Sequence, residues 1–150
     1  MRRKTLLGLL GSAVLAVTAV VAGPAIAAAG DKAQTTGAGT TVQGKFEVSA
    51  KTTQEGVLGG ASGHVGFNDL RLNVVCMAND NVKFSFIEAQ DPATGFYWDV
   101  FMTDNGPASA SPTDQFFING PFFGPICGEF GGFFGSPLLS GNLVVKDAAP

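Results

Sequence analysis

Thr41-Val42-Gln43-Gly44-Lys45-Phe46-Glu47-Val48-Ser49-Ala50-Lys51 decides the fold class. In this stretch Val42, Phe46, Val48 and Ala50 alternate with Gln43, Lys45, Glu47, Ser49 and Lys51, which is the period-two pattern of a strand with one wet face. The same alternation resumes in Val65 and Phe67, then in Leu70, Leu72, Val74 and Cys76. Its phase slips by one residue near Asn68-Asp69, so a bulge or tight turn is expected there. Ala78-Asn79-Asp80-Asn81 is a turn cluster, after which Val82, Phe84 and Phe86 alternate with Lys83 and Ser85. A second turn, Asp91-Pro92-Ala93-Thr94-Gly95, leads to Phe96, Trp98, Val100 and Met102 on one face and Tyr97, Asp99, Phe101 and Thr103 on the other. Asp104-Asn105-Gly106-Pro107 carries strong turn chemistry and stops that strand. Short strands are expected again over 114–119 and 139–146. No ten-residue stretch carries a helical apolar stripe. The reading is therefore all-β, an antiparallel β-sandwich or small barrel of about six to eight short strands, forming one domain over 41–147.

Upstream of that domain the chain changes character twice. Residues 28–40 hold Gly, Ala, Thr, Gln and one Asp-Lys pair but no large apolar side chain, and are expected to form a flexible leader. Residues 1–27 run from Arg2-Arg3-Lys4 through an apolar stretch to the Gly23-Pro24 break and the small-residue site Ala25-Ile26-Ala27. Those are the three parts of a cleavable secretory signal. The competing reading is an uncleaved membrane anchor, because the apolar run is near the minimum spanning length. With the signal removed, no stable membrane span is expected, and the mature protein is placed outside a bacterial cell.

Removal of Arg2, Arg3 and Lys4 leaves six Lys and Arg against twelve Asp and Glu, a mature net charge of −6. A chain of that balance cannot neutralise a row of phosphates, which argues against nucleic acid as a partner. A charged fraction of 14% also excludes charge-rich disorder and coiled coil.

In an exported chain the two cysteines, Cys76 and Cys127, are expected to pair. They lie 51 positions apart, and closing a loop of that size contributes about 4 kcal/mol on the chain-entropy estimate. A metal site on them is disfavoured, since there is no CxxC and His64 is the sole histidine.

Seven of the 13 Phe residues fall in 116–134, interleaved with Pro121, Gly124, Pro125, Gly128, Gly131 and Gly132. That much Gly and Pro predicts a long loop or irregular hairpin over 120–135. Phe122, Phe123, Phe130, Phe133 and Phe134 then either plug one end of a barrel or form an exposed interaction patch.

For acyl transfer only His64 is available as a base, with Asp69 five residues on and no G-x-S-x-G elbow. For sugar hydrolysis the acids on or beside strands are Glu47, Glu88, Asp99 and Asp114, but Tyr97 and Trp98 are the only Tyr and Trp. Asp104, Asn105 and Asp114 are candidate oxygen ligands for calcium, although Asp-Asn-Gly is also what a tight turn selects for backbone reasons.

Three stretches, Val42-Gln43-Gly44-Lys45-Phe46, Asp104-Asn105-Gly106 followed by Asp114-Gln115-Phe116, and Leu139-Ser140-Gly141-Asn142-Leu143-Val144-Val145, resemble a family of small exported bacterial β-domains of unassigned function. The resemblance implies an exported β-fold and no catalytic residue. The function expected is a secreted, non-enzymatic structural or interaction module at the bacterial surface, with an unknown surface partner or self-association. The alternative is a small ligand-binding or hydrolytic domain acting on cell-envelope or environmental polymer.

Overall fold

The alternation over Lys45–Thr52 forms β2, with Phe46, Val48, Ala50 and Thr52 buried and Lys45, Glu47, Ser49 and Lys51 exposed. The computed structural model describes residues 33–80, 83–107, 109, 113–127 and 135–147. The expected signal, 1–27, lies outside these residues. In chain order the strands are β1 (Ala33–Thr40), β2, β3 (Ala61–Phe67), β4 (Leu70–Asp80), β5 (Phe84–Gln90), β6 (Tyr97–Thr103), β7 (Gln115–Phe122), β8 (Ser136–Pro137) and β9 (Ser140–Asp147).

All nine belong to one antiparallel sheet in the order β8-β7-β6-β5-β4-β3-β2-β1-β9. It is thus a single meander whose last strand returns to pair with the first, which replaces the two-sheet sandwich and exceeds the six to eight strands expected. The sheet curls on itself. Phe46 of β2 stacks on Phe116 of β7, ring centroids 4.1 Å apart. Thr35 of β1 donates its hydroxyl hydrogen to Ser85 Oγ of β5 at 2.8 Å. The concave side holds the core, built from Phe46, Val48, Val65, Leu72, Val74, Met77, Ile87, Val100, Met102, Phe116, Ile118 and Leu143.

The largest correction is β1. Residues 33–40, expected to be part of a flexible leader, form a strand hydrogen-bonded on both sides, Ala33 to Thr40 against Thr52 to Lys45 and against Asp147 to Ser140. The strand needs no large side chains because its neighbours supply them. A Cβ at Gly37 would overlap the Asn142 carbonyl and the Leu143 side chain, and one at Gly39 would meet the Phe46 ring. Small residues let β1 sit between its neighbours, and such a strand has no hydrophobic signature.

Three further differences arise from the register. The slip near Asn68-Asp69 is a tight turn, with Asn68 at φ 50° and its N–H donating to the Lys45 carbonyl. A bulge lies further on, between Val74 and Cys76. It lets Val74 and Met77 both face the core while Cys76 faces away from it. The strand expected over 114–119 runs to Phe122, because the β6–β7 pairing shifts register around Trp98 and Gly120 occupies that shift at φ 148° against the indole ring. Long β4 outruns β3, and the 53–60 loop satisfies its free carbonyls, Gly56 N–H donating to Met77 O and Gly59 N–H to Val75 O.

Candidate functional site

The face assignment of β5 differs from a simple apolar-in pattern. Ser85, Ile87 and Ala89 point into the core, whereas Phe84, Phe86 and Glu88 alternate onto the convex side. There the Phe101 ring meets Phe84, Phe86 and Phe117, with centroids 5.2–6.4 Å apart. Phe86 and Glu88 are nevertheless fully buried, so this outer face carries a second layer.

Among the described residues, the segment after β7 lies on this face. Cys127 forms the expected disulfide pair with Cys76, Cα to Cα 5.9 Å. Cys76 is the register partner of Glu88. The Glu88 carboxylate accepts from both incoming amides, Ile126 N–H at 2.8 Å and Cys127 N–H at 3.2 Å. One covalent bond and one carboxylate thus pin the same two residues to the sheet.

Directly across the β5–β6 ladder from Glu88 is Asp99, also buried. Its Oδ1 is buried without a hydrogen-bond partner, so its ionised form lacks the donors that Glu88 has. Burial, and then the negative charge of Glu88, push the Asp99 carboxyl up to about 6. Burial also raises Glu88, opposed by its two backbone hydrogen bonds. A raised carboxyl pKa stabilises the fold at low pH. The Asp99 contribution is fully present below about 3.8, declines as the pH rises and is gone once the pH passes through about 6. The expected difference is about 2 kcal/mol. Denaturant titrations at pH 4 and pH 7 should show it as a loss of stability in the parent relative to Asp99→Asn. Parallel pH profiles for the two proteins would refute it.

Of the five Phe residues expected to act together, Phe122 is half-buried at the end of β7 and Phe123 is 93% exposed. Phe123 meets the Phe96 ring edge to face, centroids 5.2 Å apart. Phe130, Phe133 and Phe134 lie outside the described residues. Ile126, two residues past Gly124, is exposed as well. Phe96 of the β5–β6 connection and Phe123, with Ile126 exposed three residues further along the disulfide-anchored segment, make up an aromatic and aliphatic tip. Phe96 and Ile126 were missed as members of it; the pinning of Ile126 by Glu88 has no sequence signature.

Asp104, Asn105 and Asp114 do come together, but with backbone amides at their oxygens. Asp104 accepts Gly106 N–H at 2.8 Å and Val145 N–H at 3.1 Å. Asp114 accepts Asn105 N–H at 2.9 Å and Leu143 N–H at 2.7 Å. The Asn105 amide donates to Thr113 O at 2.8 Å. Leu143 and Val145 are on the side of β9 away from β1, so these carboxylates bridge the seam where the curled sheet meets itself. Among the described residues no group of three or more His, Cys, Asp or Glu is arranged to hold a metal ion.

His64 lies on the convex side of β3, its Nε2 3.7 Å from Glu47 Oε1, while Asp69 is in the β3–β4 turn. Glu47 and Asp114 stand apart from the Glu88–Asp99 pair. No helix of the described residues is long and apolar enough to cross a membrane. Comparison with protein-family models, characterised proteins and solved structures gives no match.

Proposed function

We propose that this protein is a secreted, non-enzymatic interaction module that works at the surface of a bacterial cell through the Phe96–Phe123–Ile126 tip. The single observation that carries the reading is the exposure of Phe123, a ring almost wholly in solvent shortly before Ile126 and Cys127, which the Cys76–Cys127 pair and Glu88 fix to the sheet. An exposed aromatic on a pre-ordered segment is the usual form of a contact anchor, because the ordering cost has been met before binding. The carboxylates best placed to act as a pair, Glu88 and Asp99, are buried, and Glu88 is engaged by the backbone, which favours a structural role over hydrolysis.

Phe123→Ser is expected to change stability by less than about 0.5 kcal/mol while abolishing saturable attachment of the oxidised domain to producing cells, or its concentration-dependent self-association. Attachment that survives the substitution, or turnover of envelope polymer by the purified domain, would overturn the proposal.

A further inference from the structure

The convex face of β2–β4 has the opposite texture to that of β5–β7. Its register rows are Glu47, Gly66 and Arg71, then Ser49, His64 and Asn73, with Lys45 and Lys51 at the two ends of β2's outward row. Gly66 is the one position in these two rows without a side chain, and the Glu47 side chain lies over it, where a Cβ would come within 2.7 Å of Glu47 Cγ; beside them opens a pocket of about 360 Å³. Lys45, Glu47, Gly66, Asn68, Asp69 and Arg71 are among its lining residues. The volume falls within the range of small-ligand sites.

The walls of this notch are set before any ligand arrives. Asn68 donates its backbone N–H to Lys45 O at 2.9 Å, and its side-chain Oδ1 accepts Lys45 N–H at 3.1 Å. Gly44, at φ 149°, is required there because a Cβ would overlap the Asn68 amide. The Val42–Phe46 stretch therefore builds one wall of a pocket. Among the described residues no ion pair engages Lys45, Asp69 or Arg71. In a protein whose mature charge is −6, two of its six cationic side chains line one recess together with Glu47 and Asp69, and neither cation is held in an ion pair among the described residues.

We infer that the Gly66 notch binds a carboxylate-bearing sugar, with Arg71 and Lys45 meeting the carboxylate and Asn68, Asp69 and Glu47 meeting ring hydroxyls. The lining selects this chemistry by elimination. A guanidinium and an ammonium call for an anion. A polyanion or an acidic peptide would meet Glu47 and Asp69 as well as the overall negative charge. A lone small anion has no use for the remaining volume or for the acceptors. Beyond the notch the Ser49-His64-Asn73 row continues with hydroxyl, imidazole and amide groups, which suits a hydroxyl-rich chain. No Phe, Tyr or Trp lies on these two rows, so recognition rests on the carboxylate and not on stacking.

The site is separate from the Phe123 tip and is tested separately. Titration of the oxidised domain with a galacturonic acid disaccharide, followed by amide chemical shifts, should give saturable binding centred on residues 45–47 and 66–71. The neutral galactose disaccharide, acetate and glycine at equal ionic strength should give none. Arg71→Gln should weaken uronate binding at least tenfold without changing the melting temperature, and Phe123→Ser should leave the isotherm unaltered. Absence of uronate binding, equal binding of any of the three controls, or an Arg71→Gln isotherm that matches the parent would each overturn the assignment.

Discussion

Replacement of Asp114 by alanine is expected to destabilise the domain by about 3–5 kcal/mol, since hydrogen bonds to charged groups contribute about 1.5–3 kcal/mol each and this carboxylate accepts two. The loss exceeds that of an ordinary turn residue because of where the donors are. Leu143 is fully buried in β9, its N–H points away from β1, and removal of the acceptor leaves that amide with neither partner nor water. Asp114→Asn should recover part of the loss, since an amide oxygen can serve one of the two donors. Urea unfolding gives the magnitude, and hydrogen exchange gives the location. The amides of Leu143 and Val145 should lose protection ahead of those in β3 and β4. A loss below about 1 kcal/mol would mean that the seam does not depend on this carboxylate.

Reduction of the Cys76–Cys127 pair, or the double substitution Cys76→Ala/Cys127→Ala, is expected to have an effect of similar size, about 4 kcal/mol for a loop of 51 residues. That is a large part of the 5–15 kcal/mol typical of a whole domain. The structure adds a second contribution. The Glu88 carboxylate keeps its place under the sheet's outer layer through the amides of Ile126 and Cys127, so releasing this segment leaves a buried carboxylate beside Asp99 without its donors. The deficit of the reduced protein should be largest above about pH 6, where Asp99 is ionised, and should shrink as the pH falls below that and Asp99 takes up its proton. Thiol titration of the denatured, unreduced protein should return none, and two thiols per chain would remove the basis for the prediction.

Much of the fold was legible because side-chain alternation reports burial on one face. β2, the first half of β4 and the concave set of β6 follow it, and the tight turn at Asn68-Asp69 was marked by a change of phase. The method fails where burial is carried by something other than an apolar side chain. β1 is held through its backbone, hydrogen-bonded on both sides, with its glycines against a Phe ring and a Leu side chain that belong to its neighbours. In β5 both faces are buried, and periodicity alone cannot say that Ser85 faces the core while Phe86 faces out; the deciding contact is a hydroxyl on β1. The same limit applies to the candidate sites. Asp104, Asn105 and Asp114 were found together from turn spacing, yet their work at the seam depends on amides of β9. The Glu88–Asp99 pairing depends on the β5–β6 register, and the Cys76–Glu88 pairing on the β4–β5 register, which the bulge after Val74 shifts out of reach of a sequence count.

The return of β9 to β1 also constrains how the chain reaches this state. The first strand is complete only when the last one is in hand, and the gap left between β9 and the middle of the meander is closed by side chains from the β6–β7 connection. Local hairpins from β2 to β7 can form as their residues become available, but the ladder that holds the two ends together spans almost the entire domain in sequence and must wait for them. Pairings of such long sequence separation are slow to form because their loop entropy is lost before any contact rewards it. A chain that lacks its last strand therefore leaves the outer edge of β1 without its partner, and the sheet is whole only once β9 is present.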